Sequence, residues 1–333
     1  MTSPTEAPLP AVWRRDILPG YSCTDIPLSP DLLVPGETAT SIGAVLVRRD
    51  PDDPSLAPAE TAVLYLHGWN DYFFQTHLGD YWAGMGMAFY ALDLRRYGRA
   101  LRPGQFLCYI ADLHDYATEI DMALKIILAA GHRRVILMGH STGGLTASLY
   151  ADAHPAAIVG LVLNSPWLDL QGTALLRNVT APLLAGMGRM LPTTPLPPAD
   201  NGFYRRTIHR DEDGEWDYDL RWKGGAEALI RLGWGRAILQ AHQEVAAGLD
   251  IHAPVLVACS DRSYVGSAWD PQMTRSDIVL DVERIVRRAV DLGPVVTVVR
   301  IEGGLHDLVL SPKPVREAFF AAVTTWVHGY CDV

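Results

Sequence analysis

A hydroxyl, an imidazole and a carboxylate occur along this chain in an order suited to nucleophilic catalysis. Ser141 lies in Gly139-His140-Ser141-Thr142-Gly143-Gly144, a G-x-S-x-G pattern that follows the apolar run Val135–Met138 and opens a small-residue segment. In strand–turn–helix context, such a pattern bends the chain sharply, strains the serine backbone and lifts its hydroxyl to the carboxyl edge of a sheet. Glycines at 139 and 143 leave room for the adjoining backbone, and Gly144 lets the helix pack close. A serine hydroxyl is a weak nucleophile at neutral pH and needs a positioned base. His306, in Glu302-Gly303-Gly304-Leu305-His306-Asp307, falls between the last strand-like and the last helix-like run, where a loop residue can reach over the sheet edge.

A carboxylate must orient that imidazole, and two positions compete for the role. Asp277 directly precedes the helix-like run Val279–Leu292. A helix of about 14 residues, a short loop and a strand of about seven fill the distance from there to His306. Asp261 follows the strand-like run Pro254–Cys259 at once, but choosing it leaves an extra loop through Ser276; Asp281 is a remote third. Asp277 is the preferred acid. The chain order Ser…Asp…His is that of the α/β-hydrolases and differs from the chymotrypsin and subtilisin orders.

Acyl transfer also needs two N–H groups aimed at the developing oxyanion. In this fold one belongs to the residue after the nucleophile, Thr142, and the other to the loop after an early strand, here His67-Gly68-Trp69, with Trp69 as donor. His67 and His77 lack a carboxylate–histidine pattern at ligand spacing, so no metal site is expected, and no cofactor.

The elements that must hold these residues alternate strand-like and helix-like, which predicts an α/β fold with a mostly parallel sheet. Strands are expected at Ser41–Val47, Ala62–Leu66, Met87–Leu92, Val135–Met138, Ile158–Leu163, Pro254–Cys259 and Val295–Ile301. Helices are expected at Leu113–Ala130 (stopped by Gly131), Gly143–Ala153, Val279–Leu292 and Pro314–Val327. The rhythm breaks over residues 170–250, rich in aromatics and including Leu183-Leu184-Ala185-Gly186-Met187, which suits an insertion with an apolar inner wall. In 333 residues, 49% hydrophobic and 20% charged composition excludes a disordered chain. A net charge of −10 argues against nucleic-acid binding. Cys23, Cys108, Cys259 and Cys331 are widely spaced and suit neither a disulfide framework nor a metal cluster. The opening MTSPTEAPLPAVWRRD has no signal-peptide pattern and no run of 18 apolar residues occurs, so a cytoplasmic protein without a membrane anchor is expected.

The set His67-Gly68-Trp69, Asp93-Leu94-Arg95-Arg96-Tyr97-Gly98-Arg99, Gly139–Gly144 and Gly303-Gly304-Leu305-His306 resembles the α/β-hydrolase superfamily. The nearest likeness is the branch of monoacylglycerol lipases, lysophospholipases and serine aminopeptidase-like (S33-type) hydrolases. The family usually carries Gly and His where this chain has Arg96 and Tyr97, and its acid follows the strand more closely. The resemblance implies an eight-stranded-type sheet with flanking helices and a helical cap after the sixth strand. It divides the chain into an N-terminal extension (1–39), a core (40–169 and 251–333) and a cap (170–250). It assigns Ser141 as nucleophile, His306 as base and Trp69 and Thr142 as oxyanion donors, and favours Asp277 as acid. The expected activity is hydrolysis of carboxylic esters of apolar small molecules. The same triad would also serve an acyltransferase, and a ligand-binding protein on this scaffold would be expected to have a broken triad. The sequence leaves the oligomeric state open.

Overall fold

The computed structural model describes residues 11–170, 181–197, 202–225 and 228–331. Outside them fall the start of the expected extension, residues 171–180, 198–201 and 226–227 of the expected cap, and the last two residues. The side chains of 181–185, including Leu183 and Leu184 of the expected inner wall, also lie outside the described set.

Among the described residues nine strands form one sheet: β1 (Arg14–Arg15), β2 (Tyr21–Leu28), β3 (Ile42–Arg49), β4 (Thr61–Leu66), β5 (Ala88–Asp93), β6 (Arg134–His140), β7 (Gly160–Asn164), β8 (Val255–Ser260) and β9 (Val296–Ile301). Their spatial order is β1-β2-β3-β5-β4-β6-β7-β8-β9. The β1/β2, β2/β3 and β3/β5 pairs are antiparallel and the remaining pairs parallel. Eight strands remain once the two-residue β1 is set aside, and the break in the alternation follows the sixth of them, β7.

Central strands buried on both faces read as continuous apolar runs, and β4 illustrates this. Ala62, Leu64 and Leu66 join one hydrophobic cluster, whereas Val63 and Tyr65 join the other. The first face is covered by α2 (Ala117–Ala129), α3 (Thr142–Ala153) and α7 (Val282–Ala289), through Ile120, Leu145 and Ile285. The opposite face is covered by α1 (Thr76–Gly84) and α8 (Lys313–Tyr330), through Trp82, Phe319 and Trp326. Between β7 and β8 lie α4 (Ala181–Met190), α5 (Phe203–Ile208) and α6 (Leu232–Ala247), and α6 buries Trp234, Ile238 and Val245 in the first cluster.

The structure departs from the sequence reading at two ends. The segment expected as an extension contributes β2, which pairs with β3 over its whole length. Its buried residues change phase, from Tyr21 and Cys23 to Thr24 and Ile26, so the two-residue alternation of a half-buried strand is hard to see. Helix α7 begins at Val282, because Asp281 caps it by accepting from Glu283 N–H at 3.1 Å. Gly131, at φ +103°, ends α2 where expected. All four cysteines are buried. Among the described residues, no helix is long and apolar enough to cross a membrane.

His242 on α6 is buried against Trp167, and its Nε2 lies 2.9 Å from the Trp167 carbonyl. A carbonyl only accepts, so Nε2 carries the proton, and Nδ1 has no partner among the described residues. Burial pushes the His242 pKa down to about 4, with the Trp167 carbonyl opposing. A base depressed in the folded state takes up its proton first in the unfolded chain. Its contribution is therefore complete above about pH 6.5 and is lost as pH falls toward 4, by about 3 kcal/mol at most. Thermal melts at pH 7.5 and 5.0 should differ by a few degrees less in His242→Gln than in the unsubstituted protein.

Candidate active site

The bend after β6 puts Ser141 at φ 53°, ψ −118°, in the left-handed region that side chains rarely adopt. The surrounding glycines have no room for a methyl group. A Cβ on Gly139 would come within 2.5 Å of the Gly143 carbonyl, and one on Gly143 would run into the His67 carbonyl. The strain is held by hydrogen bonds on both sides, from Ser141 N–H to Asn164 O (3.1 Å) and from Trp167 N–H to Ser141 O (3.1 Å).

His306 stands on the loop after β9, with Nε2 3.1 Å from Ser141 Oγ and Nδ1 2.9 Å from Asp277 Oδ2. Asp277 is fully buried, and its Oδ1 accepts from Val279 N–H (2.8 Å) and Leu280 N–H (2.7 Å). A carboxylate with one oxygen so occupied leaves the other to accept from Nδ1–H. Nε2 is then free to accept the serine proton.

Asp277 is distant from β8 in sequence yet sits at its end. The chain leaves at Ser263 and returns to form a bridge between Ser263 and Asp277, with Asp277 N–H donating to Arg262 O (3.0 Å) and Tyr264 N–H to Asp277 O (2.9 Å). Asp261, the competing acid, points elsewhere: its Oδ1 accepts from Gly303 N–H at 3.0 Å and its Oδ2 pairs with Arg262. Burial pushes its carboxyl up, but Arg262 and the Gly303 N–H outweigh this and hold it below the usual range. Asp281 is the α7 cap.

The loop after β4 lies against the serine: a Cβ on Gly68 would sit 3.2 Å from Ser141 Cβ. His67 pins this loop, with Nδ1 2.8 Å from Gly68 O and Nε2 accepting from Leu94 N–H at 3.1 Å. Both ring nitrogens are thereby engaged, and His77 Nε2 is 2.9 Å from Val309 O, so the two histidines form no ligand pair. Trp69 and Thr142 line the same cavity as Ser141 and His306. Among the described residues, no acceptor takes the backbone N–H of either.

Arg96 and Tyr97, the departures from the family pattern, have structural partners. Arg96 is buried against Glu37 (2.6 Å) and donates to Leu32 O (2.8 Å), and the Tyr97 ring packs 4.7 Å from the His67 ring. Arg95 pairs with buried Glu119, and Arg99 with Asp16 and Asp93, so this loop ties the N-terminal segment to the core.

Behind Ser141 is a polar cluster that sequence reasoning missed. Lys223, one of only three lysines in the chain, reaches in from the inserted segment and places Nζ 2.7 Å from Asp71 Oδ1; both side chains are buried. Asp71, His140 and Asp307 bring one ligand-type atom each to within 4.8 Å of one another, and Lys223 supplies a positive charge beside them. His140 donates from Nδ1 to Asn164 O at 3.1 Å, and burial pushes its pKa down against the pull of Asp307. Burial pushes the Asp307 carboxyl up, but His140, Lys223 and hydrogen bonds from Asn164 and Val309 N–H keep it low. The half-buried Tyr204 ring lies 5.5 Å from the His306 ring. The rarity of lysine was the only sequence signal for any of these. The cavity, about 500 Å³, is walled by Trp167, Ile208, Ile230, Trp234, Val279 and Leu280.

Residues 57–312 match the family model described as serine aminopeptidase, S33. The chain belongs to this S33 family. This family forms part of the α/β-hydrolase superfamily. A monoacylglycerol lipase of Mycolicibacterium smegmatis is 25% identical over 297 residues, covering 87% of this chain and 95% of its own. The structure of a Paleococcus ferrophilus monoacylglycerol lipase superposes with a TM-score of 0.60 at 20% identity, covering 82% of this chain and 96% of that one. A soluble variant of the Saccharomyces cerevisiae monoglyceride lipase gives 0.61 at 14% identity, covering 99% of both.

Proposed function

We propose that this S33-family chain hydrolyses carboxylic esters of apolar small molecules through an acyl-enzyme. The observation that carries the reading is the unbroken hydrogen-bonded chain Asp277–His306–Ser141 at the wall of an apolar cavity. Ser141 Oγ attacks the acyl carbon while its proton passes to His306 Nε2, and Asp277 stabilises the imidazolium. The Trp69 and Thr142 N–H groups hold the oxyanion. Collapse of the tetrahedral intermediate breaks the ester C–O bond, and His306 returns its proton to the departing alcohol. Water, deprotonated by His306, then attacks the acyl carbon and releases the acid with Ser141 restored.

Residues 170–250 act in this reading as a cap over the core, with Trp234, Ile208 and Ile230 supplying apolar wall. The named activity of the mycobacterial relative, a monoacylglycerol lipase, supports esters as substrates. The direct test is turnover of p-nitrophenyl esters with acyl chains from two to sixteen carbons. Hydrolysis of at least part of the series is expected, and no turnover across all of it would overturn the reading. Product analysis with a primary alcohol present separates water from another acceptor: free acid is expected, whereas a new ester as main product would make the chain an acyltransferase.

A further inference from the structure

Four consecutive residues of the loop after β4 each contact the segment inserted between β7 and β8. The Trp69 ring packs 5.5 Å from the Trp234 ring, and Asn70 Nδ2 donates to Gly225 O at 3.4 Å. Asp71 Oδ1 takes the Lys223 ammonium at 2.7 Å, and Tyr72 Oη accepts from Asp219 N–H at 2.9 Å, with Trp222 against its ring. The loop needs such support, because Asn70 is held at φ 52°, in the left-handed region.

We infer that Lys223 is a positioning residue: clamped on Asp71, it holds the loop that presents the Trp69 N–H toward Ser141, so the segment Asp219–Gly225 is part of the scaffold of the oxyanion hole. The inference rests on the proposed role of Trp69 as oxyanion donor. Charge identifies what Lys223 serves. Its Nζ is surrounded by the rings of Phe74, Tyr204 and Tyr218 at 5.7–5.9 Å, and among the described residues Asp71 is the carboxylate in contact with it. Withdrawing the segment, or removing one partner, strands the other charge in a buried site, so the pair resists separation. Asp71 Oδ1 also accepts from Tyr72 N–H at 2.9 Å, so the clamp sets the loop backbone directly. The loop in turn lies against the nucleophile, where Gly68 leaves no slack. Small displacements of an oxyanion donor act on the transition state more than on substrate binding.

The test uses the full chain with p-nitrophenyl butyrate as substrate and paraoxon as a phosphorylating probe of Ser141. Lys223→Met is expected to lower kcat about tenfold or more, to change KM less than threefold, and to slow phosphorylation by a similar factor. A fall in kcat of more than threefold with KM held supports the inference. A folded variant with kcat within threefold of the unsubstituted protein, or a loss carried by KM alone, overturns it. Should Lys223→Met fail to fold, the uncharged pair Lys223→Met/Asp71→Asn replaces it under the same threshold. If the unsubstituted protein neither turns over the ester nor reacts with paraoxon, the proposed function itself has failed, which is a different result from a silent Lys223.

Discussion

Asp277→Asn should lower kcat for a good ester substrate by about 10⁴-fold, with the fold retained. The size of the effect follows from how the carboxylate is fixed. Oδ1 accepts two backbone N–H groups, from Val279 and Leu280, and so must remain an oxygen in the asparagine. The amide NH₂ then faces His306 Nδ1 and can only donate to it. The ring must place its proton on Nε2, which points at Ser141 Oγ and can no longer accept the serine proton. Asp261→Asn is the control. Its Oδ1 can keep the Gly303 N–H, and its other oxygen meets only the exposed Arg262, so kcat should stay within about threefold of the original. Steady-state kinetics on the two purified variants decide the matter, and the reverse result would move the acid to Asp261.

Ser141→Ala should have the larger effect, about 10⁶-fold in kcat, and should abolish covalent labelling by a fluorophosphonate as read by intact mass. Alanine has a Cβ like serine, so the strain at φ 53° is unchanged, and the turn keeps its hydrogen bonds to Asn164 O and from Trp167 N–H. The melting temperature should therefore move by no more than a few degrees, which separates loss of the nucleophile from loss of the fold. Retention of even a tenth of the activity would place the nucleophile elsewhere. His306 lies within hydrogen-bonding distance of both Ser141 and Asp277, so losing either residue removes one end of the same chain.

Much of this was readable in the chain, because the signals are local. The tight bend at Ser141 is set by close contacts among Gly139, Ser141, Gly143 and the backbone beside them, so its residues had to appear together in sequence. Helix stops such as Gly131 and the two-sided burial of β4 and β6 are likewise properties of short runs. Spacing to His306 favours Asp277 over Asp261, although Asp277 lies farther along the chain from the β8 run. The Ser263–Asp277 bridge returns it to the end of β8, a pairing that no short window of sequence contains.

The residue types, their order and the positions of the strands from β3 onward were determined by the sequence alone, since sterics and apolar periodicity act between near neighbours. Tertiary structure decided which charges meet: Arg96 with Glu37, Arg99 with Asp16, and above all Lys223 with Asp71. Buried charges must find a partner wherever the fold brings one, and for Lys223 that partner stands on a loop from the other end of the chain. Its place beside Ser141 follows only from the inserted segment lying on that loop.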